Sequence, residues 1–172
     1  MSRFIEYRFK GYLAYEESRQ KIGHLCAHIL TREHARRFLM AVNEAVCNAC
    51  RYAGSGVDET PVSISVLLTE SELRAVIRGS CFEETLSPTE IQKRMRRLMQ
   101  YAANANKDWG EYVRDSERGT GFWFMLQAVD YLILDADDGS VTLSTHRQML
   151  PPNRKIRYLV PKFFVRKGGV IS

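Results

Sequence analysis

No apolar run in this 172-residue chain is long enough to cross a bilayer. The most apolar segment, Gly121 to Leu134, is interrupted by Gln127 and Asp130 and falls short of the roughly 20 residues a spanning helix needs. The opening MSRFIEYRFK places charges where a secretion signal requires an apolar core. Cysteine is scarce: with four in the chain and no such signal, reduced thiols in a cytoplasmic protein are expected. Charge of one sign is not concentrated anywhere. The 25 Lys and Arg against 20 Asp and Glu leave +5, which suits acidic or phosphate-bearing partners but supplies no basic arm for nucleic acid. Helix-turn-helix and RNA-binding sheet signatures are missing, as are internal repeats and low-complexity linkers. These absences imply one domain over residues 1–172, with no membrane partner and no direct nucleic-acid partner.

What is present alternates between two periods. Arg3 to Tyr15 mixes aromatic and polar residues as a first strand does. Glu16 to Leu30 sets Ile22, Leu25, Cys26 and Ile29 at helical spacing, with His24 and His28 off that stripe. Thr31 is placed to cap a second helix, and Gly54-Ser-Gly56 to end it. Pro61 to Leu68 and Leu73 to Arg78 read as a strand hairpin. Ser87-Pro88-Thr89-Glu90 is a capping box, and the helix it opens carries Lys93, Arg94, Arg96 and Arg97 opposite Met and Leu. Another helix is expected from Gly121 to Val129. Tyr131 to Ala136 and Val141 to His146 then flank the turn Asp138-Gly139. Lys155 to Val165 is a last strand, broken by Pro161, and Gly168 to Ser172 are expected to be loose. The pattern predicts an α+β two-layer sandwich, a mostly antiparallel mixed sheet with helices on one face.

Within the second helix, EAVCNACRYA offers two candidate chemistries. Cys47 and Cys50 form a C-x-x-C pair, but a structural zinc site usually needs a second pair, and Cys26 and Cys81 are isolated. Redox pairs sit at the start of a helix, and this one lies well inside it. Small buried cysteines are the better account. Helical arithmetic puts Phe38, Val42, Ala45, Val46, Ala49 and Ala53 on one face. Glu44, Asn48 and Arg51 fall on another, within roughly 60° of one another. A carboxylate, an amide and a guanidinium thus share one stripe, either as a solvated surface or as a site. Further on, Arg118-Gly119-Thr120-Gly121-Phe122 is a G-x-G turn at a helix start, where backbone N–H groups approach a phosphate.

The combination of E-x-x-x-N-A, the βααββ order and this turn resembles the anti-sigma-factor serine kinases, a branch of the histidine-kinase-like ATPases. The likeness runs over roughly residues 9–164. It implies that the sandwich is the histidine-kinase-like ATPase fold, with a lid-like insertion at about 83–118. It implies ATP and Mg²⁺ as cofactors, Asn48 as the magnesium ligand and Glu44 as the general base. Arg51, Gly79, Gly119, Thr120 and Gly121 would contact the nucleotide. The partners implied are a small anti-anti-sigma-like antagonist phosphorylated on serine, a sigma factor, and a second copy in a homodimer.

The same likeness exposes a departure. The family's first glycine box, D-x-G-x-G, supplies an Asp to the adenine amine. Here the corresponding stretch is Ala75-Val-Ile-Arg-Gly-Ser-Cys-Phe82, so Ile77 or Arg78 stands at the Asp position, and no carboxylate lies between Glu72 and Glu83. Two functions therefore compete: a regulatory ATP-dependent protein kinase, and a protein-binding module on the same fold with weak or no ATP binding.

Overall fold

A computed structural model describes residues 2–52, 58–79, 93, 121, 125–126, 128–146 and 163–171. Strand β1 (Arg3–Lys10) leads into helices α1 (Tyr15–Ile29) and α2 (Arg32–Tyr52), followed by β2 (Pro61–Leu68) and β3 (Glu72–Arg78). Then come β4 (Tyr131–Asp135), β5 (Ser140–His146), β6 (Phe163–Lys167) and β7 (Val170–Ile171). The strands form one sheet in the order β1-β2-β3-β5-β4-β6-β7. Neighbours are antiparallel except β4 and β6, which run parallel. The expected α+β class and mostly antiparallel mixed sheet are thus present. The described residues contain no helix long and apolar enough to cross a membrane.

Alternation along the strands decides where the core lies, because successive side chains point to opposite faces of a sheet. Ile64 and Val66 of β2 stand opposite Ile77 and Ala75 of β3, which in turn face Val141 and Leu143 of β5. Leu134 and Leu132 of β4 continue the rows. All are buried in one cluster with Ile22 and Cys26 of α1 and Phe38, Val42, Ala45, Val46 and Ala49 of α2. Fully burying each larger side chain contributes about 1.5–3 kcal/mol. Helix α2 lies over β2, β3 and β5, and α1 lies against α2 and β1.

The first strand stops earlier than the aromatic pattern suggests. Gly11 turns the chain with φ +69°, and its N–H donates to the Thr60 carbonyl at 2.9 Å. Tyr15, expected at the strand's end, is instead the first residue of α1. Only glycine suits this turn, since a Cβ there would fall 2.5 Å from the Asp58 carbonyl oxygen. The chain end also differs from expectation. Gly168 and Gly169, both at positive φ, close a β6–β7 hairpin, and the Asp137 carboxylate accepts their N–H groups at 2.7 and 3.0 Å. Those backbone bonds, from Gly169 first and Gly168 second, hold the Asp137 carboxyl below its usual range.

Thr31 directly precedes α2, its Oγ1 lying 3.2 Å from His34 Nδ1. Gly121, Met125, Leu126 and Ala128 are helical, where a helix was expected. Gly54–Gly56, the capping box at Ser87, the residues between Gly79 and Gly121 apart from helical Lys93, and 155–162 lie outside the described residues.

Candidate functional site

Helix α2 carries the candidate residues because its two stripes are separated by design of the sequence: alanine and valine face the sheet, and polar residues flank them. Ala45, Val46 and Ala49 are at most 1 % exposed, while Glu44 and Asn48 are half-buried at the margin of that stripe and Arg51 is exposed. Half-burial lets a polar group face a ligand and still be held by its neighbours.

Two contacts join α2 to Gly121 and Gly79. The Glu44 carboxylate sits against the backbone of Gly121, so closely that a Cβ at Gly121 would overlap the Glu44 side chain. Ala49 does the same service for Gly79: a Cβ on that glycine would stand 3.0 Å from the Ala49 Cβ. Gly79 in turn faces the β4–β5 turn, where its N–H lies 3.5 Å from the carbonyl oxygen of Gly139, itself at φ +61°. Small residues on both sides thus let helix, strand end and turn converge beside Ala49. Gly119 and Thr120 lie outside the described residues.

Strand register separates the two residues that the resemblance aligns with the family's Asp. Ile77 faces α2 and is 1 % exposed. Arg78 points to the opposite face, where its Nε is 3.4 Å from Asp138 Oδ2. The position that looks into the helix-side layer is therefore occupied by a buried aliphatic group.

A polar cluster that the sequence reading did not single out supports α2 from behind. Tyr12 donates its hydroxyl proton to Asn43 Oδ1 at 2.7 Å. Burial first, then a hydrogen bond with Cys47, pushes the Tyr12 phenol above its usual range. Nothing in the spacing of Gly11-Tyr-Leu-Ala-Tyr15 signals this; only the fold brings Tyr12 to α2.

The thiols are poorly suited to metal or redox work. Cys26, Cys47 and Cys50 are free. Burial drives the Cys26 thiol up to about 12. It also raises Cys50, and Cys47 as well, the latter aided by the Glu44 carboxylate. Thiolate is the reactive and metal-binding form, so these shifts disfavour both roles. Among the described residues no group of three or more His, Cys, Asp or Glu is placed to hold a metal ion. His24 and His28 are exposed on α1.

Chemically, the site offers a carboxylate as proton acceptor, an amide oxygen one helical turn away, and close-packed glycine backbone beside the carboxylate. Hard cations such as Mg²⁺ favour such oxygen donors and keep several waters. No protein-family model matches the chain, and no curated protein is significantly similar to it.

Proposed function

We propose that this chain is a regulatory ATP-binding protein of the anti-sigma serine-kinase type, acting on a partner protein. One observation carries the reading: Glu44 of α2 and Gly121 of the second glycine turn, far apart in sequence, are in contact. A surface stripe of polar residues has no need of such a contact, whereas a phosphate site requires a base and a glycine turn side by side.

In this reading Asn48 offers its side-chain oxygen to magnesium, and Arg51 lends positive charge to the phosphates. Bound Mg·ATP supplies the transferable phosphoryl group. Glu44 accepts the proton of a serine hydroxyl on the partner, or of a water. Phosphoryl transfer asks the protein mainly for positioning and charge neutralisation, which these residues suit.

A second reading rests on Ile77. A buried aliphatic group at the adenine position leaves the amine without the usual acceptor. A hydrogen bond to a charged group contributes about 1.5–3 kcal/mol. Its loss weakens nucleotide binding roughly ten- to a hundredfold. The alternative is therefore a protein-binding module that retains the fold with little or no affinity for ATP.

Calorimetric titration with Mg·ATP separates the two. The kinase reading expects binding in the micromolar to submillimolar range, weakened in Asn48→Ala and retained in Glu44→Gln. No heat, together with no competition by ADP at millimolar concentration, would leave the binding module as the function.

A further inference from the structure

The face of the sheet turned away from α1 and α2 gathers cations at one end. Alternation along β1 puts Arg8 and Lys10 on that face, and strand register sets Arg8 opposite Ser63 of β2 and Lys10 opposite Pro61. Ser63 in turn stands opposite Arg78 of β3. One row across three strands therefore reads Arg8, Ser63, Arg78, with Lys10 two residues beyond Arg8 on the same face. Neighbouring side chains in such a row start about 5 Å apart, so the two arginines rise roughly 10 Å apart with only a serine between them. This short middle residue leaves an open groove of about 560 Å³, lined by Arg8, Lys10, Pro61, Ser63, Arg78 and Gly79.

The cations are available to a ligand. The Arg8 and Arg78 side chains are 78 % and 46 % exposed. Each has a carboxylate neighbour, Glu6 at 3.1 Å from Arg8 Nη2 and Asp138 at 3.4 Å from Arg78 Nε. Each of these contacts engages one nitrogen of a guanidinium that has five N–H donors, so both forks keep donors to spare. Among the described residues Lys10 has no carboxylate partner, and the Ser63 hydroxyl has no hydrogen bond. Three cations and a hydroxyl around one groove, two of the cations planar and forked, suit a group with several anionic oxygens better than a single carboxylate.

We propose that this groove binds a diphosphate group, either as the inorganic ion or carried on a small organic molecule. The forks of Arg8 and Arg78 each engage one phosphoryl group from opposite walls. The Lys10 ammonium adds a third positive charge, and the Ser63 hydroxyl donates from the floor. Space remains over Pro61 and Gly79 for an organic part, since grooves of about 300–1,000 Å³ hold small organic ligands. The groove opens on the face of the sheet away from α2, so this site is independent of the nucleotide reading. It needs no magnesium, because the protein itself supplies the cations.

Calorimetric titration of the full chain with inorganic pyrophosphate in EDTA tests it, the chelator removing the magnesium that the nucleotide reading requires. Saturable binding is expected, with a dissociation constant below about 1 mM. Arg8→Gln and Arg78→Gln each weaken it roughly tenfold. Arg36→Gln, which removes the same charge from the exposed surface of α2, changes it by less than about twofold. Asn48→Ala binds pyrophosphate as wild type does. In that variant, ADP without magnesium distinguishes the two sources. Binding at least about threefold tighter than pyrophosphate assigns the groove to an organic diphosphate, and anything weaker assigns it to the inorganic ion. A dissociation constant for pyrophosphate above about 1 mM, or no heat at all, overturns the proposal. So does a loss in R36Q equal to those in R8Q and R78Q, which marks attraction to net charge alone. A loss in Asn48→Ala overturns it too, since the anion then sits at α2.

Discussion

The carboxylate of Glu44 and the backbone of Gly121 occupy adjoining space with no room for a Cβ between them. Gly121 is helical, and alanine in a helix is ordinarily favoured over glycine by about 1 kcal/mol. Overpacking costs about 1–3 kcal/mol unless the Glu44 side chain swings aside. Gly121→Ala is therefore expected to change stability by less than about 2 kcal/mol while displacing the Glu44 carboxylate. Denaturant unfolding measures the first effect. A double-mutant cycle with Glu44→Ala is expected to show coupling of about 0.5–3 kcal/mol. Strict additivity would mean the two residues do not touch.

Gly11→Ala meets backbone rather than a flexible side chain. Its φ of +69° disfavours any L residue, and the added methyl would overlap Asp58. Left-handed backbone costs about 1–2 kcal/mol for a residue with a Cβ. With the overlap added, a loss of about 2–4 kcal/mol is expected by urea denaturation. A neutral result would mean that the β1–α1 turn is not built as described.

Ile77→Asp asks whether the helix-side layer accepts a nucleotide base. An unpaired carboxylate at a 1 % exposed position is expected to lower stability by about 3–5 kcal/mol. If the kinase reading holds, Mg·ATP recovers part of that loss and Mg·GTP, which lacks the adenine amine, recovers less. Thermal unfolding of the variant with each nucleotide reads the difference.

Stability is expected to fall in alkali. The folded Cys26 thiol is raised from 9.0 to about 12, so its neutral form belongs to the folded state. Such a group contributes fully below pH 9.0 and loses that contribution as pH rises towards about 12. The buried Tyr15 phenol, raised chiefly by burial, adds to the trend above pH 10.0. Each group contributes at most about 1.4 kcal/mol per pH unit. Cys26→Ala is expected to flatten the part of the profile that begins near pH 9.0. An unchanged profile would place the thiol in contact with solvent.

Asp137→Ala should free the Gly168 and Gly169 amides. Hydrogen exchange at those two positions is expected to quicken, while the core strands keep their protection. Acid is expected to have the same effect. The carboxyl is held below its usual 3.8, so its contribution is complete above that pH and is lost as pH falls through the lowered value.

The sequence determined which faces are apolar, because period alone reports that. The stripe Phe38–Val42–Ala45–Val46–Ala49 and the rows of β2 to β5 lie where alternation and helical spacing put them. It also determined the Asp138-Gly139 turn, a local matter of backbone freedom. The strand boundary at Gly11 was hidden, since its cause is Asp58, nearly fifty residues away in the chain. So was the β6–β7 hairpin, which Asp137 holds from another turn. Only the tertiary structure decided that Glu44 meets Gly121 and that Tyr12 reaches Asn43. Those relationships depend on strand register and on the close approach of helix to sheet. Both are fixed by packing between segments distant in sequence, which no local pattern records.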